Sequence, residues 1–474
     1  MCAHERGRGA DGSADGGAKG GARAVVGGVG GSARAAIREL SGETKLQLGV
    51  LVGCSMLVQM AIGVIVPVLP MYAASIGLSA SDVGLLIALP SLAKLLLNLP
   101  VGYAVDTYGR KAPLVIGMLF DGLGSLATAT ARSVGAMAPA RLLVGAGSAG
   151  ATIAEQAYLM DVVSQYPQHQ GLLLGTAQAL GMLAFAAGPA LGGILAEGTA
   201  TGSATLPFVL IGTVLIGTAP IYAWLLPETR PQQRTLRAAT PPPRTGVTPT
   251  AAGGNARLVQ RLRGTAAATR RAAAETAASF AALLTDRRQQ SLLWLRFGLV
   301  AGWSVWLTIV PLAASAAWGA TMGELGKLFS LLTVLGFAAA PIGGLLADRF
   351  QPSRVAAISS AASALAVGML AFTRSQRGYI ACLALWDVAE SVLTAALTAH
   401  AAEVTSAEQR GAMNSLANQV QDLTFVVLPV LLGKAAMATS YSVALMLCAG
   451  LMIGASVAFG VSSLGAQSES HGAS

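Results

Sequence analysis

Several ionisable residues lie inside long apolar stretches of this chain. Asp387, Glu390 and His400 fall in the run 378–402, and Asp422 falls in 411–433. Arg141 and Glu155 fall in 134–157, Lys94 in 83–103, and Arg296 near the start of 291–317. A charge in such a segment is expensive to keep, and where it is kept it marks a path for ions, protons or substrate. Asp387 and Glu390 are three apart, which places them on one helix face. Two carboxylates that close in a low dielectric do not both ionise readily. One of them can load a proton and release it as its access to water alternates. Asp387 or Glu390 is the leading proton carrier on this reading, with Asp422 next and Glu155 a further candidate. Glu155, Glu403 and His400 lie near the cytoplasmic ends of their runs, where plain solvation is the favoured account. Gln59, Asn98, Asn418, Gln419 and Gln421 supply hydrogen-bonding groups in the same apolar setting, and Trp303, Trp306, Trp318 and Trp386 supply stacking surface for a cationic or aromatic molecule.

The elements that position these residues are apolar runs near 46–71, 83–103, 112–131, 134–157, 171–195, 206–226, 291–317, 323–345, 355–373, 378–402, 411–433 and 439–464. Each approaches the ~20 residues that carry a helix across a bilayer. Hydrophobic residues make up 54% of the chain and charged residues only 11%, against about 25% charged in soluble domains. The mean hydropathy is +0.62. The expected architecture is an all-α membrane protein of twelve transmembrane helices, six on each side of a polar insert.

The two sets of six are copies. Asp106 and Asp348 are 242 residues apart, and so are Asp161 and Glu403, and Gly84 and Gly326. Each Asp of the first pair ends an apolar run and opens a short basic loop, Gly109-Arg110-Lys111 in one case and Arg349 to Arg354 in the other. Ile65-Val66-Pro67 returns as Ile309-Val310-Pro311. Duplicated bundles of this kind build many secondary transporters.

The net charge of +9 invites a nucleic-acid reading, but most of the Lys and Arg fall in the tails, the insert and alternate loops. That asymmetry fits the positive-inside rule with both termini cytoplasmic, and no folded basic module with interleaved aromatics accompanies it. The four cysteines, Cys2, Cys54, Cys382 and Cys448, are far apart and have no metal-binding spacing. No nucleophile–base pair is legible. Metal centre, cofactor and enzymatic activity are therefore not expected. Residues 1–45 are Gly/Ala/Arg-rich and read as a disordered tail, with organelle targeting the lesser reading. Residues 46–230 form the first bundle, 291–464 the second, and 465–474 a tail. The insert 231–290 begins as a Pro/Thr/Gly linker and turns Ala/Arg-rich from Asn255 to Arg288. There Leu258, Leu262, Phe280, Leu283 and Leu284 give a weak apolar stripe suited to a surface helix, with a solvated basic connector an equal reading.

On these motifs the chain resembles the major facilitator superfamily. The loop Gly102, Asp106, Gly109, Arg110, Lys111 is similar to the family signature between the second and third helices, with Thr107 where a basic residue is usual. Gly109 permits a tight turn, Asp106 suits a helix N-terminus, and Arg110 has Asp161 as its obvious partner. The resemblance implies a cytoplasmic latch that favours the outward-facing state. Asp348, Arg354 and Glu403 would form a weaker copy. The string Arg141…Gly145-Ala-Gly147…Gly150 contains GxGxxG, but inside an apolar helix it resembles the family's fourth-helix signature rather than a dinucleotide site. That resemblance implies a part for Arg141 in proton coupling. Gly181, Gly188, Pro189, Gly192 and Gly193 resemble the fifth-helix signature of the family's antiporters. Leu226-Pro227-Glu228-Thr229-Arg230 closes the sixth helix as in many members and adds recognition with little mechanism. Gly84 through Lys94, Pro100 and Gly102, together with Asp422, resembles the vesicular amine branch, which implies a Lys94–Asp422 pair across the halves. The first-helix acid of that branch is replaced by Gln59.

The resulting expectation is a monomeric transporter that moves a small drug-like, cationic or amphiphilic molecule by alternating access in exchange for protons. Lys94, Gln59, Asn98, Trp386, Asn418 and Gln421 would line its cavity. The lipid bilayer, a small molecule and protons are its expected partners, and nucleic acid is not one. A metabolite facilitator or symporter and a non-transporting receptor or scaffold are the alternatives. The membrane is the plasma membrane, a vacuolar or vesicular membrane, or a plastid envelope.

Overall fold

The computed structural model describes residues 38–197, 204–229, 277–406 and 408–472. Long apolar segments form helices here because a lipid-facing backbone must satisfy its own hydrogen bonds. Among the described residues twelve long α-helices follow in order. The first six are α1 (Gly42–Ser75), α2 (Ala80–Tyr108), α3 (Lys111–Thr130), α4 (Val134–Val163), α5 (Gln170–Glu197) and α6 (Leu206–Leu225). The second six are α7 (Arg287–Trp318), α8 (Met322–Arg349), α9 (Pro352–Leu370), α10 (Gln376–Val404), α11 (Arg410–Ala438) and α12 (Tyr441–Gly472). Eleven of them are long and apolar enough to span a membrane by composition alone. The twelfth, α4, is diluted by Arg141, Glu155, Asp161 and many small residues.

Helix starts follow local chemistry. Ser79 and Asp82 form a capping box on α2, and Thr321 and Glu324 form the equivalent one on α8. These caps satisfy backbone donors that the first turn leaves free. The helices run past the apolar runs that announce them. α12 continues to Gly472, through the segment expected as a tail, because extending a formed helix needs no new nucleus. Residues 277–285 are helical and precede α7. Leu283 there is buried against Leu292, Met413 and Leu416, so the end of the insert packs on the second half. The insert before residue 277, with Leu258 and Leu262, and the tail before residue 38 lie outside the described residues.

The halves pack by the same rule. α3 lies on α4 and α6, and α2 on α4, while α9 lies on α10 and α12, and α8 on α10. Between the halves, α2 packs on α11 and α8 on α5. These two seams are copies. Gly84 of α2 packs against the Pro429 backbone of α11, and Gly326 of α8 against the Pro189 backbone of α5. One to two turns further out, Gly433 meets Ala80 and Ser81, and Gly193 meets Met322 and Gly323. Small residues let two helix backbones come this close where no hydrophobic force separates lipid from protein. The sequence repeat at Gly84 and Gly326 is therefore one half of each joint. Ser330 Oγ accepts a hydrogen bond from Ala190 N at 2.8 Å, and Glu197 Oε1 accepts one from Gly323 N at 2.7 Å. These contacts close the halves at the end away from the Arg110 and Arg349 loops.

Candidate functional site

Between the halves lies a cavity of about 1060 Å³. α1 to α5 supply most of its wall, and α7 and α11 supply Leu307, Asn414, Gln421, Asp422 and Phe425. Its closed end is apolar, with Ile65, Val66, Leu69 and Ile87. Toward the basic-loop end it is polar, with Thr152, Gln156 and Gln178. The structure is thus closed at the outer seams and open toward the basic loops.

Charge is concentrated at mid-height. Lys94 Nζ lies 3.7 Å from Asp422 Oδ1 across the halves. Asn98 Nδ2 donates to Asp422 Oδ2 at 2.9 Å. Arg141 is buried at 7% exposure. Its Nε donates to the Leu86 carbonyl at 3.2 Å, and its Nη1 has no partner among the described residues. Asp121 of α3 also faces the cavity and interacts electrostatically with Arg141 and Lys94. The sequence reading missed it. Its signal was an acid in the middle of the third apolar run, as plain as that of Asp422. Glu155 lines the wall below, beside Ser55 and Tyr222. Gln59 lines the cavity as well, and Gln421 is held by Arg296 Nη2 at 2.5 Å.

Other expected site residues are placed elsewhere. Asp387 and Glu390 do not line this cavity. Asp387 abuts Gly336 of α8, and Glu390, 4% exposed, accepts from Ser363 Oγ of α9 at 2.7 Å. A spacing of three leaves an angle of about 60° around the helix, which here points the two acids at different neighbours. Each keeps one oxygen without a hydrogen-bond partner among the described residues, Asp387 Oδ2 and Glu390 Oε1. Trp386 is buried within the second half beside Trp306, whose ring also meets Trp303 and Phe329. This aromatic cluster is core packing rather than cavity wall. Asn98 and Asn418 are outside the cavity lining, Asn98 touching it only through Asp422.

The basic loop of the first half is tightly built. Arg110 Nε donates to Asp161 Oδ2 at 3.0 Å, and its Nη1 to the Val105 carbonyl at 2.7 Å and Asp106 Oδ1 at 3.3 Å. Gly109 takes φ +108, a conformation that favours glycine. Asp106 lies in the last turn of α2, not at a helix N-terminus. The N-terminal carboxylate is Glu228. Its Oε1 accepts from Arg110 N at 2.6 Å, and its Oε2 from Lys111 N at 3.3 Å. The motif that closes the sixth helix thus carries a structural role, because it caps α3. Lys111 enters through its backbone. The Arg110–Asp161 pair lies within one half and is formed while the cavity is open to the same end. It does not by itself hold that end shut. In the second half Asp348 and Arg354, among the described residues, make no ion pair with Glu403, which lies 3.9 Å from His400 Nδ1. The antiporter-type glycines pack as close contacts: Gly188 and Gly192 on α1, Gly193 on α8, and Gly181 beside Gln59. Gly145, Gly147 and Gly150 seat α4 on α2 and α3, so the GxGxxG string is a packing surface.

Two six-helix halves around a cavity with intramembrane charges define a secondary transporter. The chain belongs to the Major Facilitator Superfamily, whose profile matches residues 51–312 and 292–471, a family of transporters rather than enzymes. Quinolone resistance protein NorA of Staphylococcus aureus is 30% identical over 159 residues, which is 33% of this chain and 39% of NorA. The match therefore spans about two fifths of that relative. A bacterial homologue of the human lysosomal transporter Spinster, solved in an inward-facing unoccupied conformation, has TM-score 0.65 at 16% identity, covering 89% of this chain and 96% of that one. The nucleoside transporter NupG, solved as a mutant, has TM-score 0.69 at 11% identity, covering 88% and 99%. These two likenesses concern the fold.

Proposed function

We propose that this protein is a proton-coupled antiporter that moves small, drug-like organic cations or amphiphiles across a membrane by alternating access. The observation that carries the reading is the cavity itself, about 1060 Å³, apolar at its closed end and holding Asp121, Glu155 and Asp422. Its volume suits a drug-sized molecule, and intramembrane acids suit protons or cations. The partial likeness to a quinolone resistance protein agrees with efflux of such molecules. Glu155 is the acid at which proton and cation compete, since it faces the cavity with neutral neighbours. Asp387 and Glu390 lie behind the cavity wall and serve the second half's packing in this conformation. Arg110, Asp106, Asp161 and Glu228 form a clasp that keeps the first half rigid as the halves rock.

The test uses purified protein in liposomes containing a pH-sensitive dye, with an imposed pH gradient and organic cations, sugars and organic acids added singly. Proton efflux triggered by cations is the expected result. Cation flux that equilibrates identically with and without the gradient refutes coupling.

A further inference from the structure

The second half gives the cavity a short wall: Leu307 of α7, and Asn414, Gln421, Asp422 and Phe425 of α11. Asp422 is engaged at both oxygens, Oδ1 by Lys94 at 3.7 Å and Oδ2 by Asn98 Nδ2 at 2.9 Å. Gln421 is engaged at one end only. Its Oε1 accepts from Arg296 Nη2 at 2.5 Å, and among the described residues its side chain makes no other hydrogen bond.

The direction of that amide follows from its partner. A guanidinium carries donors and no acceptor, so it takes the amide oxygen and leaves the NH2 group on the other side. Arg296 stands outside the lining and Gln421 within it, so that other side is the cavity. The Gln421 oxygen cannot turn inward without stranding Arg296, whose Nε already has no partner among the described residues. A positive charge behind the oxygen also polarises the amide and strengthens its N–H donors. A glutamate at this place would tie α7 to α11 more strongly, through a charge-assisted bond. Glutamine gives up that strength and keeps a donor.

Phe425 lies four residues further along α11, one turn toward the closed end and on the same face. Among the described residues it is the one aromatic side chain in the lining. A hydrogen-bond donor and an aromatic ring thus stand one turn apart on a single helix. The group that meets both is a carbonyl oxygen attached to a flat ring.

We propose that Gln421 is a specificity-determining residue that donates from its side-chain amide to a carbonyl oxygen of the substrate, with the attached aryl ring against Phe425, and that Arg296 is a positioning residue that fixes the direction of that amide. The transported molecule is then an organic cation that carries an aryl carbonyl. The inference rests on the organic-cation reading above and adds the neutral group by which such cations are told apart. An analogue without the oxygen leaves the donors unpaired, which is the stronger form of discrimination.

The experiment measures equilibrium binding to the purified full chain by isothermal titration calorimetry. The probes are γ-diethylaminobutyrophenone and its deoxy analogue, in which a methylene replaces the carbonyl; the two carry the same charge. The ketone is expected to bind at least about tenfold more tightly. Equal binding overturns the inference and leaves the organic-cation reading standing. Binding of neither probe refutes that reading, and the inference with it. Gln421→Glu replaces the donor by an acceptor and is expected to erase the preference; a preference that survives it refutes the part given to Gln421. Arg296→Met frees the amide to turn, and the ratio of the two affinities is expected to fall at least about threefold. Arg296→Lys, which keeps a cationic donor behind the amide, is expected to retain the ratio. The ratio is the readout because a loss of packing weakens both probes alike. A ratio unchanged by Arg296→Met refutes the positioning role, and the comparison on the unsubstituted chain stands should a variant not fold.

Discussion

The paired glycine–proline seams give a direct handle on the conformational equilibrium. A Cβ added at Gly84 overlaps the Pro429 carbonyl oxygen and comes 2.7 Å from its carbon and 3.1 Å from Val430 Cα. One added at Gly326 overlaps the Pro189 carbonyl oxygen and comes 3.1 Å from its carbon. The obstructing atoms are backbone, so relief requires the helices to part. Overpacking of this kind costs about 1–3 kcal/mol per site. The two seams share no partners, so the costs should add to about 2–6 kcal/mol. The penalty falls only on the state in which the outer seams are closed. Gly84→Ala with Gly326→Ala should therefore raise the outer-open population by at least ~30-fold. Spin labels at Arg132 and Arg374, in outer loops of opposite halves, report that opening as a longer distance in pulsed EPR. Gly53→Ala, where an added Cβ meets nothing within 4 Å, is the control. A double variant that folds normally and keeps the parent distance distribution would show that the seams are not the closing element.

Within the basic loop, Arg110 has 8% side-chain exposure, Asp161 32% and Asp106 75%. Asp161→Asn should cost about 1–3 kcal/mol in thermal unfolding, below the ~3–5 kcal/mol of a fully buried pair, and Asp106→Asn under ~1 kcal/mol. Glu228→Gln removes a charged cap from two backbone donors and should cost about 1 kcal/mol, read in the same melts. Lys94→Gln strands Asp422, whose side chain is 5% exposed, so the single variant should be less stable than Lys94→Gln with Asp422→Asn. The reverse order would show that the pair is not coupled. Asp387→Asn with Glu390→Gln should leave ethidium affinity within about twofold in equilibrium binding, because neither acid lines the cavity; a shift of about tenfold, ~1.4 kcal/mol, would place them at the site.

Helix number and the division into halves were legible because both rest on local signals. A run of apolar residues states its own preference for lipid, and a repeated Gly or Asp states the duplication wherever the chain goes. The Arg110–Asp161 pair was legible for a related reason, since the basic loop has few carboxylates at neighbouring helix ends, whereas the Lys94–Asp422 pair was implied by the resemblance to the vesicular amine branch. The direction in which a helix faces was not legible. Spacing put Asp387 and Glu390 near one another, but only the packing of α10 on α8 and α9 sends them away from the cavity. It also turns Trp386 inward, as the packing of α3 brings Asp121 to the wall. Glu228 reads as the end of a helix and becomes a cap only because α6 finishes beside the first turn of α3. In a membrane, hydrophobicity is the same on every side of an apolar helix, so the sequence alone determined that these segments cross and repeat. Which face meets a neighbour and which meets the cavity was decided by close contacts between small residues, and those exist only in the assembled bundle.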